Sequence, residues 1–261
     1  MAFLKLFTKT IIKLMKNLKI TSLFFLLTLF FVNAVNAQQG SASNSSDFLV
    51  YNVKKSAKTV DVNDKWNESG WKGIKSIKIR NYMGTIPAFK PKADVKMTYD
   101  DDFIYVIYRV KDRYVKSITE KINGPVWRDS AVEFFFSPEA DNPVNYFNLE
   151  INCGGTPLLH HKKNRPTVED IQKIQIKASL PKVVDTEITE PVTWTMSFKI
   201  PLSMLEKYTN VVRPKPGVAW RANFYKIAEI NSNPHYITWN EVKNDKPQFH
   251  LPQFFGILKF Q

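Results

Sequence analysis

The chain has 261 residues, 44% of them hydrophobic, with 37 Lys and Arg against 24 Asp and Glu for a formal net charge of +13. Cys153 is its single cysteine, which excludes an intrachain disulfide framework, so the fold must rest on a buried core. Removing the leader described next leaves 224 residues, a length that suits one β-sandwich domain burying about 70% of its unfolded-chain surface.

Residues 1–19 carry Lys5, Lys9, Lys13, Lys16 and Lys19 and no acidic residue, and an apolar run from Ile20 to Val32 follows. A charged segment ahead of a run of about 13 apolar residues is the pattern of a signal peptide; a membrane-spanning helix needs ~20. Val35-Asn36-Ala37 supplies a small-residue cleavage pattern, so cleavage is expected after Ala37, with Met15 as an alternative start. An uncleaved anchor is the competing reading, and no cysteine follows the apolar run to carry a lipid. Export to the periplasm or the medium makes nucleic acid an improbable partner. Loss of the five leader lysines leaves 32 basic against 24 acidic residues, a net +8 that favours solubility or attraction to acidic glycans and anionic surfaces.

Gln38 to Ser46 is small and polar, a flexible leader ahead of one domain at 47–261. From there the periodicity is mostly two. Asp100-Asp101-Asp102 between Val95–Tyr99 and Phe103–Val106 reads as a hairpin turn, with calcium as a secondary reading because carboxylates are hard oxygen donors. Phe103 to Val110 and Val132 to Phe136 are apolar on both faces, as in central strands covered on both sides. Gly154 to Asp170 reads as a long loop. Ile174, Ile176, Ala178 and Leu180 alternate with polar residues, as do Trp194, Met196, Phe198 and Ile200, each predicting a half-buried strand. Ser203 to Tyr208 after Pro201 is the clearest helical stretch, with Ser203 as N-cap and Glu206 at the capping-box position. The expected fold class is all-β, a two-sheet antiparallel sandwich of jelly-roll or immunoglobulin-like type with one short helix.

Few residues offer catalytic chemistry. His160 and His161 are adjacent beside Lys162 and read as solvated loop residues, His235 and His250 are isolated, and Cys153-Gly154-Gly155 shows no local activation. Glu133 and Glu150 stand out because each interrupts a strand-like run poor in charge. They could serve as the acid and base of a glycosidase, accept hydrogen bonds from sugar hydroxyls without reacting, or pair with a buried cation of a neighbouring strand.

Five segments in order resemble carbohydrate-binding modules of family 9: Trp127 to Phe135, Tyr146 to Thr156, Trp194 to Pro201, Gly217 to Lys226 and His250 to Gly256. The resemblance spans about Val60 to Phe260. It implies a sandwich that grips a sugar ring between two tryptophans, which match Trp127 and Trp239, while Glu133, Glu150 and Asn152 bond the hydroxyl rim. Lys226 stands where the family commonly has arginine, which removes a planar two-pronged donor. The physics of such a grip is general, since aromatic planes cover the apolar faces of a pyranose and polar groups its equator. Trp194 and Trp220 read as core, and Trp66 and Trp71 as packing against the sandwich edge. The resemblance also implies structural calcium, for which Asp100 to Asp102 or Asp141-Asn142 offers donors.

The leading expectation is therefore a non-catalytic binder of mono-, oligo- or polysaccharide that supports glycan degradation by separate enzymes. Two alternatives stay open: a haem-binding redox sandwich using Met83 or Met97 with a histidine, and a glycoside hydrolase using Glu133 and Glu150. Expressed in a Gram-negative host, the protein is expected in the periplasm with Gln38 as first residue; N-terminal sequencing that returned Met1 or Met15 would end the signal-peptide reading.

Overall fold

The computed structural model describes residues 48–261 apart from position 163, and the leader at 1–46 lies outside the described residues. Among the described residues no helix is long and apolar enough to cross a membrane. Fifteen strands are described, and most of them pack as two sheets face to face.

The larger sheet runs β1 (Val50–Val53), β15 (Gly256–Phe260), β13 (Ala219–Ala228), β7 (Ala131–Ser137), β8 (Phe147–Asn152) and β9 (Pro157–His161). β14 (His235–Thr238) pairs the second half of β13, and β3 (Asn81–Met83) pairs β14. The smaller sheet runs β10 (Gln175–Ala178), β12 (Val192–Pro201), β5 (Phe103–Asp112), β4 (Lys92–Tyr99) and β2 (Ile77–Ile79). A third ribbon pairs β6 (Val115–Ser117) with β11 (Val184–Ile188). The pairing is antiparallel except between β1 and β15, which run parallel, so the expected all-antiparallel arrangement is corrected at that edge.

The period of two decides what each strand contributes. On β7, Val132, Phe134 and Phe136 face the smaller sheet while Ala131, Glu133 and Phe135 face outward, and β8 divides the same way between Phe147, Leu149, Ile151 and Asn148, Glu150, Asn152. The inner faces meet in an aromatic stack. Phe134 lies 4.5 Å from Phe136 and 4.8 Å from Phe224, and Phe136 lies 5.8 Å from Trp220 between ring centroids.

Both sheets also carry apolar cover on their outer faces, which is why β5 and β7 lack clean alternation. Tyr105 and Ile107 of β5 are buried under Val60, Trp66 and Trp71. Those tryptophans therefore cover the outer face of the smaller sheet, not the sandwich edge. Lys96 fastens the cover by donating to the carbonyls of Trp66 (2.8 Å) and Trp71 (3.0 Å).

Two local expectations differ, and the acidic turn keeps its expected form. The segment 154–170 holds edge strand β9, which starts on a proline as edges tolerate, and a helical turn α1 (Val168–Ile171) capped by the Thr167 side chain accepting from Asp170 N. The helix after Pro201 is α2 (Leu202–Leu205), with Pro201 itself at the cap position, so Ser203 is inside the helix and caps nothing. The acidic turn is a hairpin: Asp100 Oδ1 accepts from the amides of Asp102 and Phe103, and its Oδ2 from the Tyr105 hydroxyl. Asp101 pairs with Lys55 at 2.6 Å. Asp100 thus uses both carboxylate oxygens in its own hairpin, and among the described residues no group of three or more His, Cys, Asp or Glu is placed to hold a metal.

Trp194 and Trp220 are fully buried in the inter-sheet core. Trp239 joins them: it is 3% exposed, packs on Phe224 at 5.6 Å, and sits so close to Gly256 that a Cβ there would fall 2.7 Å from its ring. Replacing Trp220 or Trp239 by Ala is expected to cost about 3–5 kcal/mol of folding free energy, whereas the exposed Trp127→Ala should change stability by about 0.5 kcal/mol or less. Chemical unfolding of the three variants checks this.

Candidate functional site

The outer face of the larger sheet forms a groove with a cavity of about 320 Å³. Its floor is alternate residues of neighbouring strands: Glu133 and Phe135 of β7, Asn148 and Glu150 of β8, Leu158 and His160 of β9, and Ile227 of β13. Trp127, Glu229 and Tyr236 stand around it, and the segment Pro247 to His250 forms the remaining wall.

Trp127 sits on a single helical turn, Val126–Arg128, and is 37% exposed. The turn is held at its C-terminal end by two sets of bonds. The Arg128 carbonyl accepts from the amides of Glu229 (3.0 Å) and Ile230 (2.9 Å), tying it to the end of β13. Asp129 Oδ2 accepts from Thr119 N (2.9 Å) and from Asn152 Nδ2 (2.8 Å).

Glu133 and Glu150 are directly opposite one another across β7 and β8. Cross-strand partners lie about 5 Å apart at Cβ, so two carboxyl groups share one small, nearly buried space. Burial pushes the Glu133 carboxyl well above the usual carboxylate range, reinforced by repulsion from Glu150 and Glu229. Burial likewise raises Glu150 to about 7, against a hydrogen bond from Asn148 Nδ2 at 2.9 Å that favours its ionised form. One oxygen of each, Glu133 Oε2 and Glu150 Oε2, is buried without a protein hydrogen-bond partner. Glu229 completes the polar set, its Oε1 accepting from the Tyr236 hydroxyl at 3.0 Å. Burial thus favours the neutral form of both carboxyls, and a neutral carboxyl can both donate to and accept from hydroxyl groups.

The aromatic wall is built by stacking: Phe249 lies on Tyr225 at 4.1 Å, and His250 Nδ1 meets the Tyr146 hydroxyl at 2.9 Å. Burial holds His160 and His250 below the usual histidine range, with Arg165 adding to the effect on His160 and His160 to that on His250.

Of the six residues expected from sequence, the groove gathers Trp127, Glu133 and Glu150. Asn152 has the parity of Glu150 but lies at the strand end, where its Oδ1 accepts from Thr156 N and its Nδ2 donates to Asp129 and to the Thr119 carbonyl. It positions the Trp127 turn and does not line the groove. Lys226 is corrected outright. It pairs across from Val132, one position out of phase with Glu133, and so points into the sandwich. There its fully buried ammonium meets Asp112 (3.1 Å), His235 Nε2 (2.8 Å) and the Ile227 carbonyl (2.9 Å). Trp239 is corrected for the reason already given: it fills the core, and the described groove has one tryptophan wall.

Residues the sequence did not single out are Asn148, His160, Glu229, Tyr236, Phe249 and His250. Asn148 was within reach, being two positions before Glu150 on the same strand face. His160 and Tyr236 come from β9 and β14, the hairpin partners of β8 and β13, Glu229 directly follows β13, and Phe249 and His250 lie on the long connection from β14 to β15. His160 and His161 are strand residues, one in the groove and the other buried against Phe147 at 4.5 Å. Met83 and Met97 are buried in different clusters and neither lines the groove, which leaves the haem alternative without a pocket.

Two packed sheets with an aromatic and carboxyl-lined groove on one outer face define a β-sandwich ligand-binding module. The chain belongs to carbohydrate-binding family 9, which it matches over residues 59–260. Among solved structures, it is similar to a candidate carbohydrate-binding protein from Bacteroides uniformis at 27% identity and a TM-score of 0.72, covering 82% of this chain and all of that one. Family 9 modules from Caldicellulosiruptor kristjanssonii, solved with glucose and with cellotriose, share the fold at 16% and 17% identity, TM-scores of 0.57 and 0.56, 82% of this chain, and 96% and 94% of theirs. An "Extracellular protein" of Arthroderma benhamiae is 24% identical over 194 residues, 69% of this chain and 84% of its own.

The carboxyl pair sets a pH dependence. Glu150 is raised from 4.5 to about 7 in the folded state, so folding takes up a proton between those values. The sign follows: this group's contribution is fully present below about pH 4.5 and is lost as pH rises through about 7, on the order of 3 kcal/mol in all. Glu150→Gln, which keeps the shape and cannot ionise, should flatten the stability profile across that window in urea unfolding measured from pH 4 to 8.

Proposed function

We propose that the groove binds a neutral sugar ring without reacting with it. The observation that carries the reading is the pairing of two buried, partly unsatisfied carboxyls beside an exposed tryptophan. A pyranose offers hydroxyl donors and acceptors to the Glu133 and Glu150 oxygens and an apolar face to the Trp127 ring. The second aromatic surface in this reading comes from Phe249 and Tyr236. The glucose and cellotriose complexes of the Caldicellulosiruptor modules make glucose units the first ligands to try.

Binding is favoured over hydrolysis by the family match and by the solved neighbours, which are described as carbohydrate-binding modules. Export, and service to separate glycan-degrading enzymes, are part of the same proposal, supported by the leader sequence and by the extracellular relative.

Calorimetric titration with glucose, cellotriose and an arrayed glycan set tests the reading. Trp127→Ala should weaken binding by about 2 kcal/mol, near thirtyfold, and Glu133→Gln should weaken it while both proteins stay folded. Unchanged affinity in both variants sinks the proposal, and release of reducing sugar from cellotriose would replace it with the hydrolase reading.

A further inference from the structure

The smaller sheet presents a second concave surface on its outer face, remote in sequence from every residue of the sugar groove. Two adjoining cavities of about 410 and 290 Å³ share Lys90, Lys92 and Lys111. Lys78, Arg80 and Arg109 line the larger of the two. Against these six cations stands one carboxylate on the surface, Asp94, already paired with Arg109 at 2.9 Å. The smaller cavity also reaches Asp112, whose carboxylate is buried against Lys226. The surface thus holds a surplus of five positive charges, over half of the +8 expected for the exported chain.

Strand register concentrates this charge. Lys92 and Lys111 are directly opposite across β4 and β5, and Lys78 and Asp94 across β2 and β4. The like charges of Lys92 and Lys111 opposed in this way destabilise a sheet, and among the described residues no carboxylate within salt-bridge distance offsets either. An anion between them would remove that repulsion. Between the cations the surface is apolar: Tyr82 and Pro91 line the larger cavity, Phe89 and Pro191 the smaller.

We propose that this face is a second binding site, for an acidic polysaccharide whose carboxylate or sulfate groups meet Lys92, Lys111 and the flanking cations while its rings lie on the apolar patches. A chain fits better than a membrane surface. The site is concave and continues across two cavities, and none of the exposed large apolar side chains that could insert into lipid lines it. The proposal does not depend on the sugar groove, and its test keeps the two apart.

Polygalacturonate, neutral dextran and phosphatidylglycerol vesicles are compared as ligands of the full exported chain. Polygalacturonate should bind and weaken steadily with added NaCl, as a screened contact must. Lys92→Glu combined with Lys111→Glu should weaken binding about tenfold or more, and the neutral pair Lys92→Gln with Lys111→Gln should melt no lower than the parent because the opposed charges are gone. Lys92→Gln with Lys111→Gln gives the same reading should the reversed pair fail to fold. Trp127→Ala should bind polygalacturonate as the parent does, whatever happens to its glucose binding. A control of equal net charge, Lys177→Glu with Lys215→Glu, should retain binding. The proposal is overturned if the parent does not bind polygalacturonate, if the Lys92 and Lys111 variants bind it equally well, if the control loses as much, or if vesicles bind more tightly and are lost in the same variants.

Discussion

The register of β7 against β8 places Glu133 opposite Glu150 on the outer face of a sheet whose inner face is solid aromatic packing, and the groove depends on that one alignment. A slip by one residue would put both carboxyls into the core and Phe134, Leu149 and their neighbours into solvent. The core therefore holds the site in register: Phe134, Phe136, Phe147 and Leu149 cannot leave the interior, so the carboxyls cannot leave the groove. The cost is two carboxyls desolvated side by side among Phe135, Tyr225 and Phe249, and that burial raises both above the usual carboxylate range. The remaining unsatisfied oxygens give a hydroxyl-rich ligand something to bond.

Much of this was legible because alternation is a local property. The half-buried strands, the hairpin at Asp100 to Asp102 and the odd presence of Glu133 and Glu150 in apolar runs all follow from residues two apart. What failed differs from case to case. Lys226 shares the strand face of Trp220, Ala222 and Phe224, all core residues, so the alternation of its own strand already turned it inward, as its pairing with Val132 does, and the resemblance to a family position had outweighed that parity. Trp239 failed because its surroundings, Phe224, Gly256 and the side-chain amide of Asn223 bonded to the Asn240 carbonyl, come from segments far apart in the chain. The groove wall at Phe249 and His250 was likewise invisible, since a connection that folds back over a sheet leaves no periodic trace.

Lys226 shows what the misplaced residue does instead. Its ammonium donates to Asp112 and to the Nε2 of His235, while the His235 Nδ1 proton is directed at the Asn233 carbonyl at 2.6 Å. Burial first, and the lysine second, push His235 down to about 3, so the ring stays neutral and Nε2 is free to accept. Asp112 in turn accepts from Trp194 Nε1 and from the Arg113 amide. An ion pair fully out of water is retained only with such a complete set of partners, and its geometry ties β5 to β13, one strand from each sheet.

Charge is accordingly divided by sheet and by depth, which the chain average of +13 conceals. The outer face of the larger sheet gathers Glu133, Glu150 and Glu229, and burial suppresses the ionisation of the first two and favours their bonding to hydroxyls. On the smaller sheet the outer face leaves most of its cations exposed to solvent, where charge acts over a Debye length of about 8–10 Å. The first arrangement suits recognition by contact with a neutral ring. The second suits longer-range attraction, and the two can act on one polymer only where neutral and acidic stretches alternate along it.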